Sequence, residues 1–252
     1  MRILFLVTAR GGSKGVPRKN LQTIAGLPLV AYKIISARRT RAEGRILCST
    51  DSPEIADVAR RFGAEVPFLR PAELATDEAS SADVLLHAMD WLEAHDPKRF
   101  DAVLLLEPSS PFATYVDFQR AIETFERLRP DSVVSVRPTE VSSIYVETLG
   151  PGGRMDRHFA KMKAARNPRR QDRPVEYTMN GALYLIDWDF LRRNRSVYGE
   201  NTYAHIMPRE LSVEIETPDD LHFGRFLAEK GLIDLSFWTL EGVPAPDPRA
   251  KD

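Results

Sequence analysis

Ile3-Leu4-Phe5-Leu6-Val7 runs directly into Thr8-Ala9-Arg10-Gly11-Gly12-Ser13-Lys14-Gly15-Val16-Pro17-Arg18-Lys19-Asn20, an apolar strand signal followed by a loop of glycines and cations. Gly11, Gly12 and Gly15 permit positive φ and close backbone approach, so successive amide N–H groups can turn toward an anion. Arg10, Lys14, Arg18 and Lys19 add full positive charge. The stretch reads as a phosphate-binding loop or as a solvated basic turn. Spacing excludes two common phosphate loops. A Walker loop ends in Gly-Lys-Ser/Thr, whereas Lys14 precedes Gly15 and Val16, and Gly11 to Gly15 does not supply G-x-G-x-x-G.

Outward from this stretch, short β-branched runs alternate with segments of helical period. Strands are predicted over residues 3–7, 45–49, 65–69, 102–106 and 132–136, with helices over 27–38, 53–62, 81–94 and 115–127 between them. In the third of these helices Val84, Leu85, Ala88, Met89 and Leu92 form one apolar stripe. The alternation predicts an α/β fold, a sheet with helices on both faces, and ligands beyond the carboxyl ends of the strands. There the chain places the basic loop, then Ser49-Thr50-Asp51, where Asp51 or Ser52 can cap the next helix, then residues 70–81, then Glu107-Pro108-Ser109-Ser110.

The 252 residues suffice for one large domain. With 35 basic and 36 acidic residues, nothing global points to nucleic acid or a membrane surface, so any anion site is local. Cys48, the single cysteine, cannot form an internal disulfide and fits a reducing, cytoplasmic setting. The apolar start is too short for a signal peptide, and no run approaches membrane-spanning length.

Periodicity weakens over 138–178, which reads as an inserted arm between core segments 1–137 and 179–231. The arm carries eight cations between Arg154 and Arg173 against Asp156 and Asp172. Strand signals resume at 180–186, 204–207 and 212–216, with a helix at 188–193. A last helix is capped by Thr217, with Pro218 at its first position, and stops at Gly231. Residues 232–252 are an extension ending in a proline-rich tail, predicted to be disordered from Gly242.

Glu214-Ile215-Glu216 is the second chemical signal. On an extended chain residues two apart share a face, so both carboxylates converge while Ile215 turns to the core. A hard cation such as Mg²⁺ suits the pair, and an exposed edge strand with ordinary alternating acids is the other reading.

Five motifs in order resemble those of acylneuraminate cytidylyltransferases. They are Ala9-Arg10-x-x-Ser13-Lys14-Gly15-x-Pro17-x-Lys19-Asn20; Arg70-Pro71-Ala72-Glu73-Leu74-Ala75-x-Asp77 with Ala79-Ser80-Ser81; Leu105-Leu106-Glu107-Pro108-Ser109-Ser110-Pro111; Asn180-Gly181-Ala182-Leu183-Tyr184; and Val213-Glu214-Ile215-Glu216-Thr217. The resemblance spans roughly residues 3 to 230 and implies a three-layer αβα Rossmann-like nucleotide-diphospho-sugar transferase fold. It further implies a mixed, mostly parallel sheet, with the arm serving a homodimer. The implied reaction joins CMP from CTP to the anomeric hydroxyl of a nonulosonic, sialic-acid-like sugar acid and releases pyrophosphate.

By the same resemblance Arg10 and Lys19 hold phosphates, Ser13 and Lys14 shape the loop, and Ala9, Asn20, Arg70, Ala79 and Ser81 complete the nucleotide site. Glu214 and Glu216 hold Mg²⁺ and one of them assists deprotonation, so Arg10, Lys19, Glu214 and Glu216 form the catalytic set. Glu107, Arg170 and Asn180 face the acceptor. This chain departs from the family pattern at Glu107, where glutamine is usual, at both paired aspartates, which are glutamates, and at Thr178 and the stretch Val141-Ser142-Ser143-Ile144-Tyr145. The nucleotide half is better kept than the sugar half, which points to an acceptor other than N-acetylneuraminic acid. Transfer to a phosphonate or an amino-sugar acid, use of GTP, and a non-catalytic nucleotide-binding protein are the alternatives.

Overall fold

A computed structural model describes residues 1–165 and 173–250. In chain order its elements are β1 (Arg2–Thr8), β2 (Thr23–Ile24), β3 (Leu27–Pro28), α1 (Leu29–Arg39), β4 (Glu43–Ser49), α2 (Pro53–Phe62), α3 (Ser81–His95), β5 (Ala102–Leu106), α4 (Tyr115–Leu128), β6 (Ser132–Pro138), α5 (Asp156–Ala164), β7 (Tyr177–Asp187), α6 (Trp188–Asn194), β8 (Thr202–Ile206) and α7 (Pro218–Glu229). Six strands form one sheet in the order β4-β1-β5-β7-β6-β8. Only β7 runs against its neighbours, β5 and β6; the remaining pairs are parallel.

β1 has apolar residues at every position from Ile3 to Val7 because both of its faces are covered. Ile3, Phe5 and Val7 pack into a core with residues of α1, α2, α4 and α7, while Leu4 and Leu6 pack into a second core with α3 and α6. This is the three-layer arrangement. α1 is buried all the way from Leu29 to Ala37, as befits a helix enclosed on every side, and Lys33 lies within that span.

Local chemistry sets the helix ends. Ser52 accepts from the Ile55 amide and caps α2, which stops at Gly63 with φ of 99°. Thr114 with Asp117 and Thr217 with Asp220 form capping boxes at α4 and α7. The single cysteine packs in the core, and burial pushes its thiol up to about 12.

Four expectations need correction. Residues 65–69 form no strand; Glu65 makes one isolated bridge to Leu47. The helix predicted from residue 27 begins at Leu29, because Leu27–Pro28 pairs with Thr23–Ile24 in a two-stranded ribbon. Residues 212–216 join no ladder, although they keep the extended alternation, with Val213 and Ile215 buried and both glutamates exposed. The described part of the tail lies against the body, where the Asp247 amide donates to the Ala25 carbonyl at 2.9 Å. Among the described residues of the arm are α5 and short 3-10 turns at Ser143–Tyr145 and Pro151–Gly153.

Candidate active site

The carboxyl end of β1 opens into two adjoining hollows of about 200 and 250 Å³ that share Thr8, Arg10 and Glu107. The first is lined by Arg10, Ser13, Lys14, Lys19, Asn20 and Glu216; the second by Arg70, Asp77, Ala79 and Ser81. A larger hollow of about 910 Å³ lies between the arm and β8, with Tyr145, Arg173, Met207 and Arg209 on its walls. It contains none of the motif residues, which line the smaller pair instead.

The basic loop is fixed by its own backbone. The Ala9 amide donates to the Ser49 carbonyl at 3.0 Å, and the Gly11 amide to Asp51 Oδ1 at 2.8 Å. Ser52 is therefore the helix cap, and Asp51 anchors the loop. The buried Asn20 amide donates to the Arg10 carbonyl at 2.8 Å, closing the loop on itself. Arg70 is buried too, and its guanidinium reaches the Ser49 side chain and carbonyl, which ties residues 70–74 to the end of β4. Ser81 is the first residue of α3, capped by Ser80, so Ala79 and Ser81 flank a helix start.

Asp77, quoted above within the second motif but given no role there, joins the basic loop. It pairs with both Arg10, at 2.5 Å, and Lys14, and the two cations hold its carboxyl below the usual range. Only the folded chain brings it to the loop, and no local pattern in the sequence announces that pairing.

The carboxylate segment is built from below. Ile215 is fully buried, and its amide donates to the Ser109 carbonyl at 2.7 Å. Lys19 donates to the Ile215 carbonyl at 2.9 Å and to Glu216 Oε1 at 3.1 Å, so loop and segment meet directly. A Cβ on Gly15 would come 2.1 Å from the Glu216 carbonyl oxygen, which explains a glycine there. Asn180 is buried, with its amide donating to Ser212 Oγ at 2.8 Å while its Oδ1 accepts from the Ala182 amide. It supports the start of the segment rather than opening into the cleft.

Gly181, with φ of 65°, lies under the meeting point of two acids. A Cβ there would be 3.2 Å from Glu214 Oε1 and 3.6 Å from Glu107 Oε2. Burial, then the neighbouring Glu214, pushes Glu107 up to about 7, and burial followed by Glu216 raises Glu214. Glu107, Glu214 and Glu216 thus form an acidic wall opposite the cationic loop. Arg170 lies outside the described residues. Lys33 was missed in the sequence, although a lysine inside Leu29-Val30-Ala31-Tyr32-Lys33-Ile34-Ile35 is itself a signal.

A three-layer sandwich whose strand ends present glycine-rich amides and cations to a carboxylate pair defines a nucleotidyltransferase. The cytidylyltransferase family model matches residues 4–210, and the chain belongs to that family. It is 34% identical to post-translational flagellin modification protein B of Campylobacter coli, over 90% of this chain and 95% of that protein. It is 35% identical to a CMP-N,N'-diacetyllegionaminic acid synthase of Legionella pneumophila, over 87% of this chain and 93% of that one. Its fold is similar to that of a CMP-2-keto-3-deoxy-manno-octonic acid synthetase complexed with CTP, at a TM-score of 0.68 and 14% identity, covering 92% of this chain and 100% of the other.

Proposed function

We propose that the enzyme transfers CMP from CTP to the anomeric hydroxyl of a nonulosonic acid of the legionaminic type and releases pyrophosphate. The observation that carries this reading is the direct meeting of Lys19 with the Glu214–Glu216 segment, which brings the cations of the basic loop and the paired carboxylates to one cleft. The Legionella relative's product, together with the altered acceptor half of this sequence, favours a legionaminic-type acid over N-acetylneuraminic acid.

In this reading Arg10, Lys14, Lys19 and the loop amides around Ser13 neutralise the triphosphate and leave its α-phosphate facing the acceptor. Asn20 keeps the loop closed. The second hollow, with Arg70, Ala79 and Ser81, takes the nucleoside. Glu214 and Glu216 would hold Mg²⁺. Among the described residues no group of three or more His, Cys, Asp and Glu side chains is set to hold a metal. The chain would therefore offer two carboxylates, which fits an ion that completes its shell with water and phosphate oxygens. Bound there, Mg²⁺ supplies Lewis-acid neutralisation of the phosphate charge. Glu214, its carboxyl raised by burial and then by Glu216, would accept the hydroxyl proton. Glu107 faces the acceptor, and Asn180 acts through Ser212 on the carboxylate segment.

A homodimer formed through the arm is part of this reading. Val141, Val146, Leu149, Phe159 and Val175 are exposed there, more apolar surface than a solvated arm needs. The cytoplasm, where CTP is made, is the expected setting, and among the described residues no helix is long and apolar enough to cross a membrane.

The test is pyrophosphate release with Mg²⁺, each of the four nucleoside triphosphates in turn, and a panel of legionaminic, pseudaminic, N-acetylneuraminic and 3-deoxy-octulosonic acids. Release that requires CTP and a legionaminic-type acid is expected. Equal turnover with N-acetylneuraminic acid would overturn the acceptor assignment, and absence of CTP binding would overturn the whole reading.

A further inference from the structure

β1 runs apolar from Ile3 to Val7 and then ends on Thr8, a hydroxyl at the mouth of the cleft. Leu6 packs into the second core, so Thr8, two residues on, faces the same α3 side of the sheet. The neighbouring strand keeps the same phase. Leu6 pairs with Leu105, which also packs into the second core, and Glu107 follows Leu105 by two residues. Thr8 and Glu107 thus stand at adjacent strand ends, and both border the two hollows.

Thr8, Arg10 and Glu107 are the residues those hollows share. Arg10 is paired with Asp77, and Glu107 belongs to the acidic wall. Thr8 is the neutral member, and among the described residues its hydroxyl makes no hydrogen bond. The polar side chains around it are engaged: Ser49 Oγ accepts from Arg70 at 3.0 Å, Ser110 Oγ donates to the Asn180 carbonyl at 3.1 Å, and Asn20 donates to the Arg10 carbonyl. Valine has the same branched shape and suits a strand end equally well, so packing does not require the hydroxyl.

The transferase reading puts the triphosphate in the first hollow and the nucleoside in the second. The link between them, the α-phosphate with its ester to the ribose, then crosses the partition that Thr8, Arg10 and Glu107 form. We propose that Thr8 is a catalytic residue, its hydroxyl donating to a non-bridging oxygen of the CTP α-phosphate and strengthening that bond as charge redistributes in the transition state. This rests on the transferase reading above. In the step, the anomeric oxygen of the acceptor bonds to the α-phosphorus, the bond to the oxygen shared with the β-phosphate breaks, and pyrophosphate leaves with that electron pair. The acceptor's hydroxyl proton passes to Glu214, and Thr8 makes and breaks no covalent bond. A neutral donor suits a place between Arg10 and the acidic wall, where a further cation would be drawn onto the carboxylates instead of the phosphate.

Thr8→Val, which keeps the shape, and Thr8→Ser, which keeps the hydroxyl, separate chemistry from packing. Initial rates are measured with Mg²⁺, CTP and the panel of sugar acids named above, and CTP affinity is measured by calorimetry. Thr8→Val is expected to lower kcat by about 10- to 100-fold, the scale of a hydrogen bond to a charged group, with the Kd for CTP within about twofold of wild type. Thr8→Ser is expected to hold kcat within about threefold. Equal losses in both variants would make Thr8 a packing residue, and weaker CTP binding at unchanged kcat would make it a ground-state contact. Either result overturns the proposal. Wild-type protein that turns over no acid of the panel would sink the transferase reading and this proposal with it, whereas an active wild type beside an equally active Thr8→Val sinks this proposal alone.

Discussion

Lys19 Nζ lies 3.1 Å from Glu216 Oε1, joining two parts of the chain that are 197 residues apart. The contact makes the phosphate loop and the carboxylate pair one unit. Lys19→Met should lower kcat/KM by about 100-fold or more, the usual loss when one charge-stabilising donor is removed. Far-UV circular dichroism should be unchanged, because the Lys19 side chain anchors no element of the sheet. Loss of fold, or activity within about threefold of wild type, would contradict the assignment.

Gly15 presses against the same segment from the other side. With a methyl group 2.1 Å from the Glu216 carbonyl oxygen, backbone must move. Gly15→Ala should therefore shift the loop relative to Glu216 and cost about 100-fold in kcat, as displacements near 1 Å commonly do. The adjacent control is Gly12→Ala, which meets nothing within 4 Å and should cost far less in the same assay.

Asp77 occupies Arg10 and Lys14, two of the cations assigned to the triphosphate. In the proposed reading it would compete with the phosphates, so Asp77→Asn should tighten CTP binding by about two- to fivefold, the scale of partly exposed ion pairs. Calorimetric titration with CTP checks this. Weaker binding would mean instead that Asp77 helps to order the loop for the nucleotide.

Much of this was legible from residue patterns. The six-stranded sheet core follows from alternation of β-branched runs with helical stripes, and the helix caps at Ser52, Thr114 and Thr217 are local chemistry. Residues 65–69 misled because the run is strand-like in composition, yet its register is a tertiary matter, and only Glu65 meets the edge of β4. The alternation of Glu214-Ile215-Glu216 gave the right facing without a ladder, since burial of Ile215 alone fixes it. Asp77 and Gly181 stand in the quoted motifs and Lys33 within an apolar run, but the partners of all three could not be read from sequence. Their roles arise from contacts across 33 to 149 residues, between elements whose packing no local pattern encodes.

Glu107 provides a pH signature. Its carboxyl moves from an ordinary 4.5 to about 7 in the folded protein, mainly by burial and then by Glu214. Between those values the native state binds more protons than the unfolded chain, so this group's contribution is full below 4.5 and is lost as pH rises through 7. Glu107→Gln does not titrate. In ligand-free protein the variant's thermal midpoint should gain on wild type by on the order of 5 °C between pH 4.5 and 7, then level off. Scanning calorimetry across that range checks it; a constant difference would show that Glu107 is not buried among acids.

In the proposed reading cytidylyl transfer occurs between the Arg10–Lys19 loop and the Glu214–Glu216 pair. Mass spectrometry of a reaction containing CTP, Mg²⁺ and N,N'-diacetyllegionaminic acid tests it most directly, comparing wild type with a Glu214→Ala, Glu216→Ala double variant shown by calorimetry to bind CTP. A CMP-sugar conjugate is expected with wild type and none with the variant. A conjugate formed equally well without the two carboxylates would contradict it.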